Sequence, residues 1–276
     1  MAKAERHLAM LVAYDGTQYH GFQRQRKGLL TIQELIENAL SHLFEPPVRV
    51  KGAGRTDAGV HAWGQVVSFH AQGAAIPAER LPWAVNAHLP PDVVVQKAWE
   101  VPRDFDARKS ATGKVYRYYI WNQAQPWPMF RRYAWHVPHP LDWEAMKKAS
   151  ASLVGKHDFA SFRDLGSSAK HTIRNIRALR VCSPADLGSE MKRPAAATAA
   201  PDACAAWPVP AGAGFIEVEA DGFLYRMVRI IAGTLVEVGL GRRSVESVAA
   251  ALELGDRSSA GVTAPPQGLV LVAVFY

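Results

Sequence analysis

The stretch TIQELIENALSHLFEPPVRVKGAGRTDAGVHAWGQVVSFH, residues 31–70, predicts one helix followed by two strands. Apolar residues recur at helical spacing over 31–44, which is typical of an amphipathic helix. Thr31 and Glu34 match the capping-box signature at its start. Residues 48–51 alternate as a strand does, and 65–70 predicts a second strand. The stretch is therefore the α-β-β centre of a larger unit.

The flanking residues complete that unit and then repeat it. A strand over 7–14, a helix over 78–88 and a strand over 93–99 give the order β-α-β-β-α-β, which is the ferredoxin-like pattern. The second half has predicted strands at 114–121, 172–182, 215–220 and 269–275, and helices at 142–154, 223–238 and 244–254. Asp142 is a plausible N-cap of the helix 142–154. We predict an α+β protein of two ferredoxin-like lobes, residues 1–106 and 107–276, with antiparallel sheets and a cleft between the lobes.

An Ala/Pro-rich segment interrupts the second half at residues 183–214. It contains PAAATAAPDACAAWPVPAGAG and has no helical or strand periodicity. We predict a flexible loop between two strands, and its composition is typical of a tolerated surface insertion.

Composition and charge narrow the class of protein. A chain of 276 residues that is 49% hydrophobic is large enough for a sizeable core. Its 32 Lys and Arg against 25 Asp and Glu leave a net charge of +7, which favours a polyanionic partner. The two cysteines, Cys182 and Cys204, form no metal or disulfide pattern and suit a reducing cytoplasm. Neither a signal peptide nor a membrane span is expected from the apolar runs, so we predict a cytoplasmic protein.

A glycine-rich loop, residues 52–61, follows the predicted strand 48–51. Its glycines allow a sharp turn and a close approach to a ligand. Arg55 is suited to contact phosphate or stack on a base, and Asp57 supplies a carboxylate that is either catalytic or an ordinary turn residue. His61 is either a base paired with Asp57 or a structural histidine. The loop lacks the full dinucleotide-binding pattern, and no phosphate-binding loop of the nucleoside triphosphatases is present.

Two further segments combine aromatic and basic residues. In the predicted strand 114–121, Tyr116 and Tyr118 share one face, and Arg117 and Tyr119 share the other. Such a surface suits base stacking, and it equally suits tyrosines packed in a core. In the predicted helix 223–238, Arg226 and Arg229 either reach the surface or pair with a buried carboxylate.

Six segments together resemble the TruA-type tRNA pseudouridine synthases. They are YDGTQYHGFQRQ (14–25), GAGRTDAGVHA (52–62), FDARKSATGKVYRYYI (105–120), GKHDFASF (155–162), DGFLYRMVRIIAGTLVEVG (221–239) and APPQGLVL (264–271). The resemblance covers nearly the whole chain, in the order of the family. This sequence departs from the family at Phe22, where tryptophan is common, and in the length of the 183–214 insertion.

The resemblance implies a role for five residues. Asp57 would be the essential aspartate, and Arg55 would help to hold or flip the target nucleotide. Tyr116 would lie against the target base, Arg229 would pair with Asp57, and Leu271 would pack the floor of the pocket. The resemblance also implies a homodimer without cofactor or metal, with a basic catalytic cleft, that modifies uridines 38, 39 and 40 in the anticodon stem-loop of tRNA.

The chemistry of that reaction suits this set of residues. Isomerising uridine breaks the N1–C1′ bond and joins C5 to C1′, so no atom is gained and no cofactor is required. An arginine beside Asp57 would favour the ionised carboxylate. Two other functions are compatible with the residues alone: a non-catalytic RNA-binding module, and a hydrolase that uses Asp57 and His61.

Overall fold

The computed structural model describes residues 5–25, 28–45, 47–73, 75–164, 166, 171–186 and 212–276. The chain is α+β and divides into two compact units. Unit 1 contains the described residues up to Thr112 together with Leu271–Tyr276, and unit 2 contains the described residues from Gly113 to Val270.

Unit 1 confirms the predicted element order of the first half. It contains β1 (Arg6–Tyr14), α1 (Ile32–Ser41), β2 (Lys51–Gly52), β3 (His61–Ala71), α2 (Leu81–Asn86) and β4 (Val93–Glu100). Strand β1 lies between β4 and β3 and is antiparallel to both. Strand β2 pairs antiparallel with β3, and β10 (Leu269–Phe275) is also a neighbour of β3.

The ends of the unit 1 elements differ from the prediction. Strand β3 begins at His61, four residues before the predicted start at 65, so part of the glycine-rich region is a strand. The capping box is wrong, because the Thr31 side chain makes no cap hydrogen bond. Thr31 is fully buried, and Glu34 instead pairs with Arg24 at 3.2 Å. The predicted strand 48–51 keeps its alternating burial, but only Lys51 and Gly52 pair with β3.

Unit 2 is built on a sheet with the order β5-β9-β8-β7. Its elements are β5 (Gly113–Trp121), β6 (Trp135–His136), α3 (Trp143–Ser150), β7 (Gly155–Asp158), β8 (Ile173–Cys182), β9 (Ala213–Ala220), α4 (Met227–Gly239) and α5 (Glu246–Leu254). Those four strands pair antiparallel, whereas β6 is parallel to β5, so the sheet is mixed. The sequence analysis missed β6 and β7, which have only two and four residues.

Helix α4 forms the core of unit 2. All of its 13 residues except Glu237 are buried. The prediction of a helix from 223 is wrong at its start, because Arg226 adopts the left-handed conformation with φ of 59° and precedes the first turn. Arg226 pairs with Asp164 at 2.7 Å, so of the two arginines only Arg229 belongs to the helix. Although α4 is the longest helix in the described ranges, neither it nor any other described helix has the length and apolarity to cross a membrane.

The predicted insertion at 183–214 is described only at its two ends. Asp186 closes a turn by accepting hydrogen bonds from the backbone N and the hydroxyl of Ser183, both at 2.8 Å. Strand β9 starts at Ala213, so 213 and 214 belong to a strand and the predicted boundary is two residues too long. Residues 187–211 lie outside the described residues.

The predicted N-cap at Asp142 is confirmed and yields a stability test. Its carboxylate accepts a hydrogen bond from the backbone N of Ala145 at 2.8 Å. We expect Asp142→Ala to lower the free energy of unfolding by about 1 kcal/mol, because one backbone donor of the first turn loses its partner. Urea-induced unfolding measures the change.

Glu144→Ala is the matched control, since Glu144 lies in the same turn and is exposed. Its surface pair with Lys147 should contribute at most about 0.5 kcal/mol. Equal losses in the two variants would contradict the capping role of Asp142.

Candidate active site

The glycine-rich loop, residues 52–61, joins β2 to β3 in unit 1. Arg55 is exposed and Asp57 is half-buried, so both charged groups are near the surface of unit 1. Thr56, between them, is buried. The loop therefore presents a guanidinium and a carboxylate while the residue that separates them is anchored inside.

A second segment, residues 14–22, braces this loop through its backbone. The backbone N of Phe22 donates to the carbonyl of Thr56 at 3.1 Å, and the backbone N of Gly59 donates to the carbonyl of Tyr19 at 3.3 Å. We call residues 14–22 the bracing segment. Two stretches that the sequence analysis singled out separately, 14–25 and 52–62, thus form one structural feature.

Close approach of the two segments depends on glycine. Gly21 has φ of +90°, and a Cβ there would lie 2.6 Å from the carbonyl oxygen of Thr56. A Cβ on Gly16 would lie 2.0 Å from the carbonyl oxygen of Val60. Because real Cβ atoms do not come so near, larger residues at either position would force the segments apart. Phe22, which stands where the family often has tryptophan, packs its buried ring against Gly52.

Two buried polar side chains, Tyr14 and Gln65, contact the loop from the interior of unit 1. The hydroxyls of Tyr14 and Thr56 are 2.8 Å apart. Gln65 donates to the carbonyl of Gly54 at 2.8 Å and accepts from its backbone N at 3.3 Å. Burial raises the pKa of Tyr14 to about 12, although its hydrogen bonds to Thr56 and Gln65 act in the opposite direction. Tyr14 is therefore a neutral phenol at any pH near neutrality.

His61 has a structural role in the same feature. Only 6% of it is exposed, and its Nδ1 lies 3.0 Å from the backbone N of Gly16 and 3.1 Å from the carboxylate of Asp15. These contacts tie the start of β3 to the bracing segment, which favours the structural histidine over the base. Nor do the described residues contain a group of three or more His, Cys, Asp or Glu that could hold a metal ion.

In unit 2, strand β5 carries the predicted tyrosines, and Tyr116 and Tyr118 are both buried. Tyr116 is buried, and its ring meets Phe223 edge to face with centroids 5.1 Å apart. Tyr118 is fully buried and donates its hydroxyl to the carbonyl of Pro265 at 2.8 Å. Burial raises the pKa of Tyr118 well above its ordinary value, and the charge of Arg229 opposes that shift.

The opposite face of β5 is occupied by an internal ion pair. Arg117 donates to the carboxylate of Glu217 from Nε at 2.9 Å and from Nη2 at 2.6 Å, and to the hydroxyl of Tyr119 at 3.0 Å. Its guanidinium also lies 4.3 Å from the ring centroid of Phe215. Arg117 and Tyr119 thus stabilise the fold of unit 2. These contacts favour core packing over base stacking for this face of β5.

Arg229 is held inside unit 2 by the segment that precedes β10. Only 8% of it is exposed, and its Nε donates to the carbonyl of Ala264 at 2.7 Å. The backbone N of Ala264 in turn donates to the carbonyl of Arg229 at 3.1 Å. Leu271 is fully buried in the part of β10 that belongs to unit 1. Of the five predicted site residues, Arg55, Asp57 and Leu271 lie in unit 1, and Tyr116 and Arg229 lie in unit 2.

Comparison with known proteins identifies the family. A sequence model described as tRNA pseudouridine synthase matches residues 10–108 and 149–276, which include the glycine-rich loop, Arg229 and Leu271. The chain belongs to this family of tRNA pseudouridine synthases. Tyr116 lies between the two matched ranges.

Several synthases of this family are similar to the chain over almost its full length. The tRNA pseudouridine synthase A of Myxococcus xanthus is 44% identical over 269 residues, which cover 98% of this chain and 91% of the relative. The proteins of the same name from Thermoanaerobacter sp. (strain X514) and Geotalea uraniireducens (strain Rf4) are 42% and 40% identical over 271 residues, 98% of this chain and 100% of each relative.

Membership of the synthase family decides among the activities that the residues alone left open. The chain is an isomerase that converts uridine to pseudouridine in tRNA. The hydrolase and the non-catalytic RNA-binding module are therefore set aside.

The sequence analysis missed two polar residues of this site, Tyr14 and Gln65. Each lies in a predicted strand among apolar neighbours, and such a polar residue usually needs an internal partner. A polar residue in an apolar strand is therefore recognisable from the sequence. Its partner, Thr56 for Tyr14 and Gly54 for Gln65, is not, because strand pairing and the path of the loop determine it.

The contact at Gly21 predicts a specific effect on the synthase. In Gly21→Ala the new Cβ must displace the carbonyl of Thr56, so we expect pseudouridine formation to slow by at least about tenfold as Asp57 moves from its position. The left-handed backbone should also cost about 1–2 kcal/mol of stability. Rates on tRNA and urea unfolding measure the two effects.

Gly28→Ala separates backbone strain from displacement of the loop. Gly28 has φ of +100°, but a Cβ there would meet nothing within 4 Å. We expect it to lose stability and to keep its rate. A Gly28→Ala variant as slow as Gly21→Ala would refute the argument.

Proposed function

We propose that this protein isomerises uridines 38, 39 and 40 of the tRNA anticodon stem-loop, with Asp57 as the catalytic carboxylate. The observation that carries the proposal is the placement of Asp57 in a loop whose neighbouring residues are bonded to buried groups, in a chain of the pseudouridine synthase family. The three tRNA positions come from the resemblance to the TruA-type enzymes.

The reaction sets three requirements for the site. The N1–C1′ bond must break, the detached uracil must turn so that C5 bonds to C1′, and the proton on C5 must leave while N1 gains one. A carboxylate is able to assist by adding to the sugar, by adding to the base or by removing a proton from C2′. Each route needs Asp57 in its ionised form.

The other predicted residues complete this proposal. The target base must leave the stack before it reaches the carboxylate, and an exposed arginine such as Arg55 is suited to help hold or flip the target nucleotide. Arg229 would pair with Asp57, as the resemblance implies, and a guanidinium is well suited to bind a carboxylate. Tyr116 would lie against the uracil, and Leu271 would line the floor of its pocket.

The remaining features are proposed on the resemblance and on charge. They are two ferredoxin-like lobes that flank a basic catalytic cleft, a homodimer, and a cytoplasmic location. The antiparallel order β4-β1-β3 with β2 on β3 supports the ferredoxin-like lobe, and the net charge of +7 supports tRNA as the partner.

Replacing Asp57 by asparagine tests the proposed function. The assay uses tRNA labelled with tritium at uridine C5, because the isomerisation releases that hydrogen to water without changing RNA length. We expect Asp57→Asn to release no detectable tritium and to bind tRNA within a few-fold of wild type, since affinity rests mainly on phosphate contacts. Asp104→Asn, at an exposed carboxylate of unit 1, is the control and should keep its rate. Appreciable turnover by Asp57→Asn would overturn the assignment.

The role of Tyr116 is tested by removing its hydroxyl. If the hydroxyl moves a proton or orients Asp57, Tyr116→Phe should slow the chemical step by roughly 10²–10⁴-fold, which is the result we expect. If the ring only stacks on the base, Tyr116→Phe should leave the rate nearly unchanged. Tyr116→Ala should then lose about 1–3 kcal/mol of stacking energy with the base. Single-turnover rates on a tRNA with one target uridine distinguish the two.

Tyr118→Phe is a matched control on the same strand. It also loses a buried hydroxyl, but one that is bonded to the carbonyl of Pro265. We expect a loss of about 1 kcal/mol of stability with little change in rate. A Tyr116→Phe variant as fast as wild type would eliminate the proton-transfer role.

A further inference from the structure

We propose that Tyr14 and Gln65 are positioning residues that set the geometry of Asp57 and Arg55 without touching the substrate. The inference rests on the proposed catalytic role of Asp57. Both residues are buried in unit 1, with 4% of Tyr14 and none of Gln65 exposed.

Gln65 fixes the residue that precedes Arg55. Its amide group bonds both backbone groups of Gly54, donating to the carbonyl at 2.8 Å and accepting from the N–H at 3.3 Å. One residue earlier, the backbone N of Ala53 donates to the carbonyl of Val66 at 2.8 Å. The side chain of Gln65 therefore extends the pairing with β3 by one residue, beyond the point where the backbone pairing ends.

Tyr14 fixes the residue between Arg55 and Asp57. Its hydroxyl lies 2.8 Å from the hydroxyl of Thr56, while the carbonyl of Thr56 accepts from the backbone N of Phe22. Thr56 is thus held at both its side chain and its backbone. Arg55 has an anchored residue on each side, and Asp57 follows an anchored residue directly.

The hydrogen bonds of these side chains form one consistent network. Gln65 Nε2 has two hydrogens, one directed to the carbonyl of Gly54 and one to the hydroxyl oxygen of Tyr14 at 3.4 Å. Since that oxygen accepts from Gln65, its own hydrogen is free to reach Thr56. Reversing the amide would place its NH₂ group against the N–H of Gly54 and lose both donations, so the network permits one orientation. The raised pKa of Tyr14 keeps its hydrogen in place.

Hydrogen bonds from buried side chains limit the conformations of a catalytic loop. A glycine-rich loop has many backbone conformations, whereas a carboxylate that acts on a sugar or a base must be placed within a fraction of an ångström. A displacement of about 1 Å is able to lower a rate by about 100-fold. Tyr14 in β1 and Gln65 in β3 are buried, so they restrict the loop from the interior of unit 1.

Unit 1 also contains a clamp of the same kind that is remote in sequence from the loop. Asn86 donates to the carbonyl of Val95 at 2.9 Å and accepts from its backbone N at 2.8 Å. It joins the end of α2 to β4. Asn86→Leu and Gln65→Met each replace an amide by an apolar group of similar size, so a purely structural role for Gln65 predicts the same consequences for both.

The test compares Tyr14→Phe, Gln65→Met and Asn86→Leu by single-turnover rate at saturating enzyme, tRNA affinity and thermal unfolding. We expect Tyr14→Phe and Gln65→Met to slow the chemical step by about 10- to 100-fold with tRNA affinity within a few-fold of wild type. Asn86→Leu should lower the Tm and leave the rate unchanged. The double variant Tyr14→Phe with Gln65→Met should lose less than the product of the two single losses, because both act through one network.

Asp57→Asn is measured in the same series to separate the catalytic role of Asp57 from the positioning role of Tyr14 and Gln65. If Asp57→Asn retains turnover, the catalytic assignment itself fails. If Asp57→Asn is inactive while Tyr14→Phe and Gln65→Met keep the wild-type rate, or slow no more than Asn86→Leu, only the positioning role is overturned. Should Gln65→Met fail to fold, Tyr14→Phe decides alone, since it removes a single oxygen atom.

Discussion

The glycine-rich loop, residues 52–61, is held by hydrogen bonds to segments outside it, and the arrangement of the bracing segment depends on these bonds. A bond from the backbone N of Val60 to the carbonyl of Asp57 closes one turn of the loop. Other backbone groups of the loop bond to the bracing segment, to the backbone of β3 and to the side chain of Gln65. Since an unpaired backbone group is unfavourable away from water, these bonds make the conformation of the loop depend on that of the bracing segment. Gly16 and Gly21 are needed because these backbones approach more closely than a Cβ allows.

In unit 2, charged and polar groups are buried beside apolar ones and form hydrogen bonds within the unit. Arg229 lies on the core helix, and its contact with Ala264 fixes the start of a short segment leading to β10. The carbonyl of the next residue, Pro265, accepts a hydrogen bond from the hydroxyl of Tyr118. Gly268 lies so near the ring of Tyr118 that a Cβ on this glycine would be 2.7 Å from it. The conformation of 264–268 and the placement of these two side chains are thus mutually dependent.

Several arginines of the chain are paired with carboxylates of the fold. Arg117 and Arg180 both bind the buried carboxylate of Glu217, and Arg24 and Arg49 both bind the buried carboxylate of Glu37. Arg226 is paired with Asp164. These arginines hold elements together, so a net charge of +7 indicates a class of partner but does not locate the surface that binds it.

The sequence by itself determined the element order of unit 1, the N-cap at Asp142 and, through the run GAGRTDAGVHA, the family and the loop that carries Asp57. These features depend on local spacing and on a specific motif. Tertiary structure decided that Thr31 makes no cap bond, that Arg226 lies outside α4 and that two short strands join the sheet of unit 2. It also decided that Tyr14 and Gln65 lie beneath the loop. Local patterns do not contain this information, because the partner of a buried polar group is set by which distant segments pack against it.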